Sequence, residues 1–368
     1  MRLRRLTVYL LFLALITPAT VEAQKVKVFI LAGQSNMEGK GFPRPLSWQV
    51  SQAEYRERYA RFVKDGDYGA FTAKLRASLE VDGDKPAYDW AVRSDVWVDY
   101  HGKHGDLTVG YAPGRDVFGP EFNFGQVMGD LYDEQVLLIK TSWGGKALGR
   151  GFLPPSLRDT AAEIAVIAEA EGKPVDEVRK THGEFYDLMV KEVHDALAGI
   201  AANHPSYEGQ GYEIAGFVWF QGFNDQFHPT YHANYESNMA VFIDDVRREF
   251  GVPGLPFVIG QMGQNADKDG VYPVGRDGKL TPAGRIRKAQ ADVARRPSFA
   301  GSVVCVRTAP FYDMEADAIF SGPGGWQADV DKWRRFGDDR PYHYLGSPWF
   351  FAQAGTAFAE AMVGLIEK

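Results

Sequence analysis

Five apolar runs rich in β-branched and aromatic residues recur along the chain: "KVKVFILA" (25–32), "QVLLIKT" (135–141), "EIAGFVWFQG" (213–222), "LPFVIGQMG" (255–263) and "GSVVCVRT" (301–308). Most are nearly continuous in apolar character instead of alternating, which suits strands covered on both faces. Amphipathic stretches lie between them. Over 184–200, Tyr186, Met189, Val190, Val193, Leu197 and Ile200 share one helical face, and over 231–250 Tyr231, Tyr235, Met239, Phe242 and Val246 do the same. The closing "PWFFAQAGTAFAEAMVGLIEK" reads as a small-residue helix that can pack closely on a sheet. This alternation predicts an α/β fold with a mostly parallel sheet and helices on both sides.

Three regions interrupt the pattern. Residues 42–118 hold charged helical text followed by the loop-like "DYHGKHGDLTVGYAPGRDVFG", and read as an insertion after the first strand and turn. Residues 264–280 and 309–342 are rich in Gly, Asp and Pro. Neither an internal repeat nor a low-complexity linker divides the chain, so 24–368 is expected to be a single domain. Ahead of it, Arg2, Arg4 and Arg5 precede "VYLLFLALI", and "VEA" follows. That is the layout of a signal peptide over 1–23, cleaved after Ala23, and it predicts a secreted or periplasmic protein. The apolar run is about half the roughly 20 residues a membrane span needs, so no membrane association is expected after cleavage.

The formal charge of −7 gives no electrostatic reason to bind nucleic acid or an anionic membrane. Cys305 is the only cysteine, which excludes an intrachain disulfide and a thiolate zinc cluster. Inside "SVVCVRT" it is expected to be a small buried core residue.

Chemistry gathers where strands end. In open parallel α/β sheets the loops leaving the carboxyl ends of the strands form the site. Here the first strand runs into "AGQSNMEG", the second into "TSWGGKALG" and the third into "WFQGFNDQF", each with glycine beside a polar group. These parts suit acyl transfer. A serine hydroxyl becomes a nucleophile when a neighbouring base takes its proton, and the tetrahedral intermediate needs donors aimed at its oxyanion. Ser35 offers the hydroxyl. Its N–H, a glycine N–H from "WGGK" and the Asn224 amide offer donors, and His343 in "DDRPYHYLGSPWF" offers a base.

"GQSNMEG", the glycine pair after the second strand, "QGFND" and the late histidine resemble the SGNH hydrolase superfamily. Within it they look most like the sialate O-acetylesterase and acetylxylan esterase group, carbohydrate esterase family six. "GPEFNFG" (119–125) resembles the segment opening the second helix in that group. The resemblance runs from Val28 to the C-terminal helix, leaving the 42–118 insertion unaccounted for. It implies a flavodoxin-like three-layer α/β/α sandwich and deacetylation of carbohydrate esters by a serine mechanism, with no metal or other cofactor. Carried over, Ser35 matches the nucleophile and, through its N–H, one oxyanion donor. Gly145 or Gly144 matches the second donor, Asn224 the third, and His343 the base. The superfamily usually has an aspartate three residues before the histidine. Here that position is Arg340, and Asp339 lies four before. Asp339 is favoured to orient the imidazole, with Asp338, Asp225 and Glu121 as alternates.

Each residue also has a plainer reading. Ser35 would suit a helix N-cap, Asn224–Asp225 an Asx-turn, and Gly144–Gly145 a tight turn. Among the eight histidines, His228 and His232 follow "QGFND" closely enough to reach the same pocket and bind sugar, while His194 is expected on a solvated helix face. Trp143, Trp219 and Phe223 flank the site as core residues or sugar platforms. Gln34, Trp143, Gln221, Arg150 and His228 are the candidate substrate-binding residues. The function predicted is a secreted serine esterase acting on acetylated sugars or polysaccharides. A carbohydrate-binding protein that keeps the scaffold without catalysis, and an esterase or lipase for apolar acyl chains, are the rivals.

Overall fold

The computed structural model describes residues 24–83, 86–158 and 163–368; the signal segment expected over 1–23 lies outside them. Seven strands among these residues form one sheet. They are β1 (Val26–Gly33), β2 (Arg93–Tyr100), β3 (Lys103–Leu107), β4 (Val136–Ser142), β5 (Tyr212–Phe220), β6 (Phe257–Gln261) and β7 (Val303–Arg307), in the order β3-β2-β4-β1-β5-β6-β7. Every neighbouring pair is parallel except β2–β3. All five strands read from the sequence are present.

The strands lack polar alternation because both faces are covered. On β1, Phe29 and Leu31 enter a core shared with Phe122, Phe124, Phe351 and Phe358. Val28, Ile30 and Ala32 enter the opposite core with Tyr186, Met189, Tyr235 and Phe242. One layer therefore holds the Glu121–Leu131 and Pro348–Ile366 helices, and the other holds Glu184–Ala198, Pro229–Glu249 and Pro282–Val293. The result is a three-layer α/β/α sandwich. Pro348–Ile366 is long and apolar enough to cross a membrane, yet here Phe350, Ala354, Phe358 and Met362 are wholly buried against the sheet layer.

The 42–118 region departs from expectation. It was read without strands, but it supplies β2 and the antiparallel edge strand β3. Charged residues concealed them: β2 begins with Arg93, exposed Ser94 and Asp95, and only Val96–Tyr100 are buried. Asp99 within it is masked by His204 Nε2 at 3.1 Å. Before these strands, Leu46, Val50, Tyr59, Phe62 and Phe71 extend the core of the same sheet face.

Strand order and register place the loops. The chain builds outward on one side of β1 through β2 and β4, then crosses to the other side with β5, so a topological switch lies at β1. Gly33 pairs with Ser142 of β4 and Phe220 of β5, so all three strands end at one level. A Cβ at Gly33 would lie 2.2 Å from Phe220 O, so glycine permits this closeness. Cys305, on the outer strand β7, is only partly buried instead of fully so. Burial pushes its thiol up to about 12, which leaves it protonated near neutrality.

Candidate active site

β1 ends directly in the four-residue helix Ser35–Glu38. Gln34, not Ser35, occupies the N-cap position, so the plain capping role falls away from the serine. Ser35 is the first helical residue, where backbone N–H groups lack intrahelical acceptors. Its side chain lines a cleft of about 490 Å³ together with Glu38, Lys40, Gly144, Gly145, Asn224, Tyr342 and His343.

The second loop is held against this turn. Trp143 N donates to Gly33 O at 3.2 Å, and Gly144 N donates to Glu38 Oε1 at 2.6 Å. Gly144's N–H is therefore engaged, and the donor left for the cleft is Gly145's. A Cβ placed on Gly144 would be 3.7 Å from Ser35 Cβ, and one on Gly145 would be 3.9 Å from Asn224 Nδ2. The three donor-bearing residues thus border one small space. Beneath them lies Lys140 of β4, wholly buried, donating to Glu38 O at 2.6 Å, Glu121 Oε2 at 2.8 Å and Tyr111 O. Burial pulls its ammonium below the ordinary lysine range, against the opposing charge of Glu121. Glu121 is spent on this pair and on Gly119 N, and so does not serve His343.

In the third loop, Gln34 fixes Asn224. Gln34 Nε2 donates to Asn224 Oδ1 at 2.9 Å, while its Oε1 accepts from Gly222 N and Asn224 N. The Asn224 NH₂ is the end left over, on the cleft side. Gln221 donates to Lys146 O, Gln34 Oε1 and Asp225 Oδ2. Gln34 and Gln221, both 2% exposed, hold the loops together, and Gln34 also lines the cleft. Asp225 is consumed too, accepting from Leu148 N and Gly149 N, with its carboxyl pushed up to about 6 by burial.

The histidine loop explains the unusual spacing. Tyr344, Leu345 and Gly346 all have left-handed φ, at 51°, 63° and 67°. For the non-glycine Tyr344 and Leu345 this conformation costs roughly 1–3 kcal/mol each and persists only where the surroundings enforce it. Here Tyr344 is buried with its ring stacked on Phe350, and its hydroxyl accepts from Gly263 N. The tight reversal lets both Asp338 N and Asp339 N donate to Leu345 O. Asp339 is thereby carried back to His343, with Oδ2 2.8 Å from Nδ1. Burial raises the Asp339 carboxyl, but hydrogen bonds from His343 and Arg340 N outweigh it and leave the group below the usual carboxylate range. Asp338 instead faces Arg44 at 3.5 Å. With Nδ1 occupied, Nε2 is the ring nitrogen free for a substrate or a hydroxyl. No hydrogen bond of 3.5 Å or less joins it to Ser35 Oγ among the described residues, and such contacts often tighten only with substrate bound.

Gly346 sets this reversal. A Cβ there would lie 2.9 Å from Asp339 N and 2.8 Å from the Phe42 ring, at a φ that L-residues avoid. Gly346→Ala is therefore expected to displace Asp339, lowering kcat by about tenfold or more while KM changes little. Steady-state kinetics on an acetate ester measure it, and unchanged kcat would remove the loop from this account.

The remaining candidates separate. Trp143 packs among His101, Phe152 and Phe185 and does not line the cleft. Trp219 is wholly buried core. Arg150 and His228 line an adjoining cavity of about 370 Å³ that shares Gly145, Asn224 and Phe227 with the cleft. There Arg150 is bound to Glu171 at 2.5 Å, and the His228 ring stacks on Tyr231. His194 is exposed beside Glu249, as expected of a solvated helix face. The sequence reading missed Glu38, Lys40, Phe227 and Tyr342. Phe227 is 69% and Tyr342 44% exposed, so both rings stand at the cleft rim, with Phe223 in contact with each. An acid three residues after Ser35 was the available signal for Glu38.

Among solved structures, a protein from Arabidopsis thaliana is 16% identical, with 92% of this chain and 98% of that chain covered and a TM-score of 0.48. A carbohydrate acetylesterase from Xanthomonas citri is 14% identical, with 91% of this chain but only 55% of that chain covered and a TM-score of 0.47. No curated protein matches the chain. The family model described as carbohydrate esterase, sialic acid-specific acetylesterase, matches residues 25–292. That span includes Ser35, the 144–145 glycines and Asn224, and stops before Asp339 and His343. It takes in well over half of the sequence, and on it the chain belongs to the sialic acid-specific acetylesterase family of carbohydrate esterases.

Proposed function

We propose that the protein is an exported serine esterase that removes O-acetyl groups from a sugar or polysaccharide. The observation that carries this reading is the Asp339–His343 hydrogen bond, with His343 lining the same cleft as Ser35, Gly145 and Asn224. Asp339 holds a proton on Nδ1, so Nε2 can take the Ser35 proton as the hydroxyl attacks the acetyl carbonyl. Ser35 N–H, Gly145 N–H and the Asn224 amide receive the oxyanion. His343 then returns the proton to the departing sugar hydroxyl, and a water repeats the sequence on the acetyl-enzyme. Export is inferred from the Arg-flanked apolar segment at the N-terminus. Exposed Phe227 and Tyr342 offer faces for a sugar ring.

Acetate release from a panel of acetylated glycans tests the activity. The rival lipase reading is separated by 4-nitrophenyl esters: kcat/KM on the acetate is expected to exceed that on the octanoate by about tenfold or more. A preference for the octanoate would overturn the assignment to sugar acetates.

A further inference from the structure

A cavity of about 800 Å³ lies in the 42–118 region, away from Ser35, between Trp48, Tyr88 and the 331–338 segment. Arg44, Arg334 and Asp338 line it and also line a second cavity of about 270 Å³, whose wall includes Asp339 and Arg340. Asp339 binds His343, which lines the Ser35 cleft. The two cavities therefore share a wall, and the smaller one is separated from the Ser35 cleft by the Asp339–His343 pair.

The charges on this path are specific. Arg334, Arg335 and Arg340 are exposed, and among the described residues none has a carboxylate within 4.0 Å. The Arg335 guanidinium lies 5.4 Å from the Trp48 ring centre, and that of Arg340 lies 5.5 Å from Trp326. A guanidinium held over an indole keeps its N–H edge free to meet a carboxylate in a forked pair. The acids facing the large cavity are Asp116, Asp338 and Asp331. Asp116 is paired with Arg115 at 3.4 Å and Asp338 with Arg44 at 3.5 Å. Asp331 faces the two arginines there, and Asp338, though paired with Arg44, also feels the charge of Arg334.

We propose that these two cavities bind the continuation of a carboxylate-bearing glycan chain, uronate-type in chemistry, whose acetylated residue occupies the Ser35 cleft. This rests on the esterase reading above and adds the charge and polymeric nature of the substrate. Free guanidiniums beside aromatic surface suit a sugar ring with a carboxylate, whereas a neutral glycan leaves them unused.

The test is the double variant Arg334→Glu/Arg335→Glu, assayed at low salt on O-acetylated oligogalacturonates, on O-acetylated xylo-oligosaccharides of equal length, and on 4-nitrophenyl acetate. On the acidic oligomer kcat/KM is expected to fall about tenfold or more, with 4-nitrophenyl acetate unchanged. The loss is expected to shrink at about 0.5 M NaCl, because screening weakens exposed charge contacts. Equal losses on acidic and neutral oligomers, or no loss on either, would overturn the proposal. Calorimetric binding of unacetylated oligogalacturonate to Ser35→Ala, abolished by the two glutamates, supports the groove independently of turnover, and no binding counts against it. Absence of 4-nitrophenyl acetate hydrolysis in the unmodified protein would instead strike the esterase reading.

Discussion

Ser35→Ala is expected to lower kcat on acetylated sugars and on 4-nitrophenyl acetate by roughly 10⁵-fold, the scale of losing a nucleophile outright. The oxyanion donors and the binding cleft remain, so a residue of catalysis over water survives. Folding is expected to be untouched, for three reasons. Ser35 follows the cap residue and makes no capping bond, alanine fits its backbone, and the loops around it are held by Gln34, Glu38 and Lys140 instead. Circular dichroism and thermal melting of the variant check this alongside kinetics. An organophosphonate should label Ser35 in the unmodified protein and nothing in the variant. Turnover by Ser35→Ala near the unmodified rate would sink the mechanism, and failure to label would favour a binding protein on the same scaffold.

The parts of this architecture that could be read in advance are those where one physical rule acts alone. β1, β4, β6 and the second half of β5 are buried almost throughout, and burial leaves a continuous apolar string; β7, at the sheet edge, is only partly buried yet keeps its apolar run. β3 lies at the sheet edge, and β2, although interior between β3 and β4, begins with exposed Ser94 and Asp95. Their charged residues face solvent or, like Asp99, a distant histidine, and no local pattern announces that partner. The site divides in the same way. The convergence of the Ser35, Gly145 and Asn224 loops was legible because each directly follows a strand, and parallel register brings strand ends to one level. For Gln34 and Gln221 sequence alone does not separate a substrate contact from a scaffold contact, because an amide near a site looks alike whether it faces inward or outward. Only the structure shows the network that ties them to Gly222, Asn224 and Asp225. The choice between the two glycines also needed structure, since Glu38 reaches Gly144 across 106 positions of sequence.

Asp339→Asn tests the least regular part of the site, and its expected effect is nearly as large. An asparagine that turns its NH₂ toward His343 Nδ1 selects the tautomer with hydrogen on Nε2, which cannot accept the Ser35 proton. A loss in kcat of roughly 10⁴-fold follows from that change alone. Asp338→Asn is the control. Its neighbour carboxyl faces Arg44, so turnover should stay within about threefold of the unmodified protein. The stability signature has a fixed sign. The folded-state Asp339 carboxyl lies below the ordinary range, so its contribution is present above the unfolded value near pH 4 and lost as pH falls through the lower folded value. Urea unfolding should show Asp339→Asn less stable than the unmodified protein at pH 7, with the gap closing on acidification. For the same reason, Asp339 is expected to contribute no limb to kcat/KM above about pH 4. If Asp338→Asn proves the more damaging variant, the reversal through Tyr344–Gly346 does not serve His343, and the triad acid must be reassigned.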